Sequence, residues 1–135
     1  MLLRIIALLS LLFVLSGCAE PPYTNIDNTQ LQTLLKQGVT IYDVRRPEEW
    51  RQTGVVEGSR LLTFVDANGR PTPDFFARFT TEVKKDEPVI VICRTGNRTD
   101  VLARLLVEEL GYRQVYNVRD GITRWIAEKN PTVRK

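Results

Sequence analysis

The stretch Val89-Ile90-Val91-Ile92-Cys93-Arg94-Thr95-Gly96-Asn97-Arg98 decides the fold of this chain and points to its chemistry. Its first four residues are apolar and β-branched, which predicts a buried strand. The six residues from Cys93 to Arg98 then form a loop that leads into a helical pattern beginning near Thr99. The sequence therefore places a thiol at the carboxyl end of a strand and in front of a helix amino terminus.

Cys93 is predicted to be a reactive sulfur. The free N–H groups and positive dipole end of a helix favour a thiolate, and the guanidinium groups of Arg94 and Arg98 act in the same direction. Gly96 permits a positive φ angle, which lets successive amides turn inward as an anion-holding nest. Ligands of open α/β sheets bind beyond the carboxyl ends of the strands. The alternative is a small apolar side chain that fills the base of a strand.

The composition excludes several classes of site. The chain of 135 residues has no histidine, so cysteine–histidine dyads, serine–histidine triads and histidine-based metal sites are excluded. Activation of Cys93 would have to come from backbone dipoles and arginines, and we expect neither a metal nor a cofactor. The net charge is +3 and no basic run is interleaved with aromatic residues, so nucleic acid is not an expected partner.

The amino terminus is typical of a targeting signal. Arg4 supplies one positive charge, and residues 5–15 are almost entirely apolar, a run shorter than the about 20 residues that cross a bilayer. Leu15-Ser16-Gly17-Cys18 resembles the end of a bacterial lipoprotein signal. We therefore expect residues 1–17 to be removed as a signal peptide and Cys18 to carry a lipid. An ordinary signal peptide that is cut near the same place is the alternative.

This signal predicts a location at the cell envelope. The protein would be lipid-anchored and would face the periplasm, and Ala19 after the lipidated residue favours the outer membrane over the inner one. Lipidation of Cys18 would leave Cys93 without a disulfide partner in the chain. An unpaired thiol in an oxidising compartment is easier to explain if it reacts than if it only packs.

The remaining sequence alternates strands with helices. Residues 18–26, which include Pro21 and Pro22, are predicted to be the anchor site and an extended tether. A single domain is predicted over residues 27–131, followed by a tail at 132–135. Predicted strands lie at 39–44, 61–65, 89–92 and 114–118, and predicted helices begin after Asp27 or Asn28, at Pro47, at Pro73 with Thr72 as cap, near Thr99, and after Asp120. This alternation predicts a mostly parallel sheet that is buried on both faces.

The loop from Cys93 to Arg98 resembles the active-site loop of the rhodanese family of sulfurtransferases, in the cysteine-arginine-x-glycine-x-arginine form. The segments 43–45 and 47–50 resemble the first signature of the family, residues 54–59 its glycine-bounded turn, and residues 112–125 its carboxyl-terminal signature. The resemblance implies a rhodanese-like three-layer α/β fold. In such a fold a central, mostly parallel sheet of about five strands carries helices on both faces.

The resemblance also implies a reaction. Cys93 would attack thiosulfate or a related donor, release sulfite, and carry the sulfane sulfur as a persulfide to cyanide or a thiol. Arg94 and Arg98 would orient the anionic donor. The loop amides that would hold the persulfide belong to Arg94, Thr95, Gly96, Asn97 and Arg98. The hydroxyl of Thr95 is a further candidate for a hydrogen bond to the sulfur.

Other positions in the motifs are expected to be structural. Asp43 and Arg45 belong to the structural signature of the family and are predicted to form an ion pair or a loop anchor. Glu48 and Glu49 are predicted to lie in a solvated first helical turn.

Two residues depart from the family pattern. Val55 stands where a histidine is frequent, which affects local packing. Asp120 stands where a glycine pair is usual. It is expected to cap the last helix, or alternatively to lie at the pocket rim and select against anionic acceptors.

Two other functions compete with sulfur transfer by an enzyme. One is a phosphatase or arsenate reductase of the related fold, in which five residues separate the cysteine from an arginine. Here four residues intervene and Thr99 occupies the fifth-spacing position, so the cradle would be smaller. The other is a sulfur carrier or partner-binding rhodanese module at the envelope, which would dock to an unidentified acceptor protein.

Overall fold

A parallel five-stranded sheet forms the centre of the computed structural model, which describes residues 19–135. The strand order is β1-β5-β4-β2-β3. The strands are Thr24–Ile26 (β1), Thr40–Asp43 (β2), Arg60–Leu61 (β3), Val89–Ile92 (β4) and Val115–Val118 (β5). The helices are Asn28–Lys36 (α1), Pro47–Thr53 (α2), Phe75–Glu82 (α3), Asn97–Arg104 (α4) and Gly121–Ala127 (α5), and α4 continues into a π-helical segment at Leu105–Glu109. The predicted α/β fold with its mostly parallel sheet is confirmed.

Helices cover both faces of this sheet. Successive residues of a strand point to opposite sides, so each strand contributes side chains to both of the apolar layers beneath the helices. Val89 and Val91 of β4 pack in one apolar cluster with residues of α3 and α4. Ile90 and Ile92 pack in a second cluster with residues of α1 and α5. All four β4 side chains are fully buried, so this central strand holds Cys93 at a rigid position.

Both ends of the predicted domain need correction. β1 lies within the predicted tether, where it pairs in parallel with β5, and Tyr23 before it is buried. At the other end, Val133 forms an antiparallel bridge with Val55, so the predicted tail belongs to the fold. Val55 itself is fully buried. The predicted signal peptide and Cys18 lie outside the described residues.

Two predicted caps are also wrong. Thr72 does not cap α3, because its hydroxyl donates to the Thr63 carbonyl at 2.7 Å and the helix begins only at Phe75. Asp120 precedes α5, but its side chain makes no capping hydrogen bond. The strand predicted at 61–65 is limited to Arg60–Leu61. Asp27, in contrast, caps α1 as predicted, since its carboxylate accepts from the Gln30 amide at 2.8 Å.

Within residues 19–135, no helix has the length and apolar character that a bilayer span requires.

Candidate active site

Cys93 lies directly after β4, with 1% of its surface exposed. The amide of Gly96 donates to its Sγ at 3.2 Å, and the hydroxyl oxygen of Thr99 lies 3.3 Å from the same sulfur. The loop therefore closes over the sulfur from one side, through one backbone amide and one hydroxyl. Among the described residues the Gly96 amide is the one backbone N–H that bonds to this sulfur.

Gly96 is required at this position by the fold. Its φ angle is +94°, and a Cβ atom there would lie 1.9 Å from the carbonyl oxygen of Arg119. Only glycine adopts such a conformation without strain and without a clash. The chain can therefore turn back between Cys93 and α4 and aim an amide at the sulfur.

The amino terminus of α5 holds the other side of the loop. The amides of Ile122 and Thr123 donate to the carbonyls of Cys93 and Arg94 at 2.9 and 3.1 Å. These loop carbonyls take the place of a side-chain cap, which explains why the Asp120 carboxylate is half exposed, 4.0 Å from Arg119. Gly121 allows this close contact, since a Cβ atom there would lie 2.3 Å from the carbonyl oxygen of Arg94.

Arg98 is bound to a carboxylate and does not point freely toward solvent. Its two terminal nitrogens donate to the two oxygens of Glu49 at 2.8 and 2.6 Å. Glu49 is buried and also accepts from the amide of Arg46 at 2.9 Å. The prediction of a solvated first turn is therefore wrong for Glu49, whereas Glu48 is half exposed and pairs with Arg46.

The contact between Glu49 and Arg98 shifts the pKa values of both side chains. Burial on its own would raise the pKa of Glu49, but the hydrogen bonds from Arg98 and from the Arg46 amide outweigh it and lower that pKa to about 2. The hydrogen bond to Glu49 raises the pKa of Arg98, against the opposing effect of burial. Both groups therefore stay charged together, and each neutralises the other beside the loop.

Asp43 and Arg45 form the predicted ion pair, at 2.8 Å and fully buried. Arg45 also donates to the hydroxyl of Thr53 at 2.8 Å and to the carbonyl of Gly54 at 3.0 Å. Asp43 accepts from the indole N–H of Trp50 at 3.0 Å. This network fixes α2 against the carboxyl end of β2 and so positions Glu49.

Arg94, Thr95 and Asn97 are exposed on the outer side of the loop. Arg94 and Thr95 line a cleft of about 470 Å³, together with Arg45, Arg46, Glu48, Glu49, Gln52, Thr53, Ile122, Thr123 and Ile126. No ion pair involves Arg94 within residues 19–135. The hydroxyl beside the sulfur belongs to Thr99, while Thr95 faces the cleft.

Four residues of the site were missed by the sequence reasoning: Glu49, Thr99, Asn117 and Gly121. The available sequence signal for Asn117 was its polar side chain between apolar neighbours in a strand. Its contact with Thr99, at 2.5 Å, depends on the adjacency of β4 and β5. No group of three or more metal-ligating side chains occurs in the part of the chain described here.

The family model described as a Rhodanese-like domain matches residues 27–128. The chain belongs to the rhodanese family. Thiosulfate sulfurtransferase GlpE of Pseudoalteromonas translucida is 33% identical over 105 residues, which are 78% of this chain and 90% of that protein. These similarities place the chain among the sulfurtransferases.

Solved rhodanese structures have the same fold. The crystal structure of a rhodanese-related protein from Thermoplasma volcanium superposes with a TM-score of 0.65 at 27% identity and covers 84% of this chain and 100% of that one. The polysulfide-sulfur transferase of Wolinella succinogenes, at 20% identity, has a TM-score of 0.65 over 84% of this chain and 80% of that one. The second similarity shows the rhodanese fold alone.

Proposed function

We propose that the protein moves sulfane sulfur from thiosulfate or a related anionic donor to a thiophilic acceptor through a persulfide on Cys93. The observation that carries this proposal is the hydrogen bond from the Gly96 amide to Cys93 Sγ, 3.2 Å long. This hydrogen bond supports the view that the loop, which has four residues between Cys93 and Arg98, binds a sulfur through its backbone. The relatives named thiosulfate sulfurtransferase support the same donor.

The proposed reaction has two balanced steps. The Cys93 thiolate attacks the outer sulfur of thiosulfate, a new S–S bond forms, and the old S–S bond breaks as sulfite leaves with the bonding electron pair. An acceptor such as cyanide or a thiolate then attacks the outer sulfur of the persulfide, and the Cys93 thiolate is the leaving group. Splitting the transfer in this way is covalent catalysis.

The amino terminus of α4 supports the persulfide intermediate. The first N–H groups of a helix have no acceptor within the helix, and in α4 these belong to Asn97, Arg98 and Thr99. The outer sulfur of a persulfide carries negative charge and extends beyond Sγ, so free amides and the positive dipole end stabilise it. Only a small donor reaches this sulfur, because Cys93 exposes 1% of its surface.

The first test is the mass of the full-length protein after thiosulfate treatment and removal of free donor. We expect a gain of one sulfur atom on Cys93, which cyanide then removes as thiocyanate. Cys93→Ser should gain no sulfur and have no measurable transferase activity, while Cys18→Ser, as the matched control, should gain it. Equal activity in Cys93→Ser would remove Cys93 from the mechanism.

Arg94, rather than Arg98, is the proposed donor-binding arginine, because it lies exposed in the cleft wall while Arg98 is held by Glu49. A charge-assisted hydrogen bond contributes roughly 1.5 kcal/mol, which corresponds to about a tenfold effect. Arg94→Ala should therefore raise the KM for thiosulfate about tenfold and leave the KM for cyanide unchanged. Steady-state kinetics with each substrate varied in turn provide the measurement. An unchanged KM for thiosulfate would contradict the role of Arg94.

We also propose that the protein acts at the cell envelope, held by a lipid on Cys18 and facing the periplasm, in the outer membrane. This proposal rests on the sequence of residues 1–18, as does the proposed removal of residues 1–17 as a signal peptide. The folded domain starts only a few residues after Cys18, at Tyr23, so the anchor would keep the enzyme at the membrane surface.

A further inference from the structure

A polar pair lies beside the reactive sulfur, and neither of its residues lines the cleft. Thr99 of α4 and Asn117 of β5 are buried, with 0% and 2% of their surfaces exposed. The two residues meet because β5 is the parallel neighbour of β4. The Thr99 hydroxyl thus lies between the amide of Asn117 and Sγ of Cys93.

The Thr99 hydroxyl has one hydrogen and three neighbours. Its oxygen lies 2.5 Å from Oδ1 of Asn117, 3.3 Å from Sγ of Cys93 and 3.3 Å from the carbonyl oxygen of Gly96. An amide oxygen and a backbone carbonyl only accept hydrogen bonds, whereas a thiol can donate. The much shorter distance assigns the hydroxyl hydrogen to Asn117.

A second contact agrees with the orientation of the Asn117 amide in which Oδ1 faces Thr99. Its Nδ2 donates to Oδ1 of Asn25 at 3.0 Å, and Asn25 is directly opposite it in the register of β1 with β5. If the amide of Asn117 were turned over, its oxygen would face the oxygen of Asn25. The acceptor of Asn117 therefore points at Thr99.

We propose that Asn117 is a positioning residue for the sulfur chemistry: it holds the hydroxyl hydrogen of Thr99, so that Thr99 accepts the hydrogen of the resting Cys93 thiol. This inference rests on the proposed function. When the thiol ionises, its proton leaves to solvent, and the Thr99 hydroxyl must turn toward the anionic sulfur and give up its bond to Asn117. When the persulfide forms, the negative charge moves to the outer sulfur and the hydrogen returns to Asn117.

The arrangement favours the two states in which Sγ is uncharged, the thiol and the persulfide. The thiolate between them loses part of its stabilisation, and a less stabilised thiolate is a stronger nucleophile. At a given pH a smaller fraction of Cys93 is then thiolate, so Asn117 limits the time that the sulfur spends as a free thiolate.

Other charged groups near the loop do not produce this effect. They are Arg94 and Arg98 with Asp100 on the loop and α4, Glu49 on α2, Asp43 and Arg45 at the end of β2, Tyr23 before β1, and Arg119 with Asp120 before α5. Arginine stays protonated, and the pKa of Glu49 is about 2. Burial, followed by the hydrogen bond to Asp100, raises the pKa of Tyr23. Asn117→Leu also removes a hydrogen bond from Asn117 that lowers the pKa of Tyr23. This loss is the same in the wild-type and Thr99→Val backgrounds, so a shift that requires Thr99 reports on the contact between Thr99 and Asn117.

The test follows the rate at which iodoacetamide alkylates the Cys93 peptide of the full-length protein as a function of pH. Asn117→Leu removes the acceptor of the Thr99 hydrogen, so the hydroxyl can donate to the thiolate. We expect the midpoint of thiolate formation to fall by about one pH unit. In a Thr99→Val background the same Asn117→Leu change should produce no shift. An unshifted midpoint in the single variant, or an equal shift without Thr99, would overturn the inference.

Two controls separate this effect from a loss of folding. Asn25→Ala lies on an edge strand and frees the Asn117 amide to turn, so it should lower the midpoint in the same direction even if Asn117→Leu does not fold. Thr72→Val removes a hydroxyl that donates to Thr63, far along the chain from the loop, and should leave the midpoint at its wild-type value. Absence of a shift in a folded Asn25→Ala variant would count against the orientation of the Asn117 amide.

The outcome is independent of whether thiosulfate is the donor. A shifted midpoint in a protein that gains no sulfur from thiosulfate would support the positioning role and refute the proposed function. A protein that gains sulfur, with the same midpoint in all variants, would refute the positioning role alone.

Discussion

Glu49 determines what the second arginine of the loop can do. A guanidinium that is bound through two hydrogen bonds to a buried carboxylate has little free charge for an anionic substrate. The Arg98–Glu49 pair therefore ties α2 to the amino terminus of α4. The sequence presents two equivalent arginines, and only the carboxylate on a different helix distinguishes them.

This pair predicts a specific loss of stability in acid. The pKa of Glu49 in the folded protein is about 2, below its ordinary value of 4.5. A lowered carboxyl pKa stabilises the folded state above pH 4.5, and this contribution is lost as the pH falls from 4.5 toward 2. Solvent screening of the partly exposed pair reduces its size to about 2 kcal/mol.

Urea unfolding of wild type and Glu49→Gln between pH 7 and pH 2.5 provides the measurement. The variant should be less stable at pH 7, and the stability difference should shrink as the pH falls. Glu48→Gln is the matched control. The hydrogen bond from Arg46 also lowers the pKa of Glu48, but this pair lies at the exposed surface, so the variant should change the acid dependence much less than Glu49→Gln. A constant difference between wild type and Glu49→Gln across this range would contradict the lowered pKa.

At the scale of elements, the reactive loop is held between two helix amino termini. α4 begins inside the loop and supplies the Gly96 turn, while the first amides of α5 bind the carbonyls of Cys93 and Arg94. The loop is thus fixed through its backbone, and its exposed side chains remain free for substrate. Gly121 is the point at which α5 and the loop come closest.

Gly121→Ala is therefore expected to displace the loop. The added Cβ atom would lie 2.3 Å from the Arg94 carbonyl oxygen at a φ angle of +65°, and a displacement of about 1 Å near a reacting group can reduce turnover about 100-fold. Gly58→Ala is the matched control, because its φ is +82° but a Cβ atom there has no neighbour within 4 Å. It should lower the melting temperature through backbone strain and retain activity.

Thiosulfate–cyanide turnover and thermal unfolding of both variants provide the measurements. Wild-type turnover in Gly121→Ala would show that α5 does not position the loop.

The elements that the sequence predicts well are those with a complete local pattern. The β-branched run of β4 and the cap of α1 by Asp27 are examples, since each signal lies within a few adjacent residues. β1 was missed because three residues behind two prolines contain a single apolar side chain that faces the core, Ile26. The cap expected from Asp120 failed because a loop distant in sequence supplies the acceptors.

The distinction between local and distant signals also explains which features of the site the sequence predicted. Cys93 and Gly96 were found because the loop is continuous in sequence. The contacts of Thr99 with Asn117, and of Arg98 with Glu49, depend on which strands and helices are neighbours. Strand order is a property of the whole sheet, so no local pattern contains it.

At the scale of the whole molecule, both ends of the described chain are integrated into the domain. β1 adds an edge strand next to β5 and carries Asn25, which contacts Asn117. At the carboxyl end, Thr132 donates to the Thr53 carbonyl at 3.0 Å, and Val133 pairs with Val55. The amino-terminal edge of the fold is therefore connected to the residues beside the reactive sulfur.

The position of the amino-terminal edge limits the distance between the folded domain and the proposed lipid anchor. Four residues lie between Cys18 and Tyr23, and the five fully extended Cα–Cα steps that join them span at most about 18 Å. A lipid on Cys18 would therefore hold the sulfur chemistry close to a membrane surface. Full-length protein expressed in bacteria that are fed labelled palmitate should incorporate the label. Cys18→Ala should incorporate none, while Cys93→Ala, the matched control for the other cysteine, should incorporate as much as wild type. Equal labelling of Cys18→Ala would exclude lipidation at this residue, and the domain would then reach its compartment without a covalent anchor there.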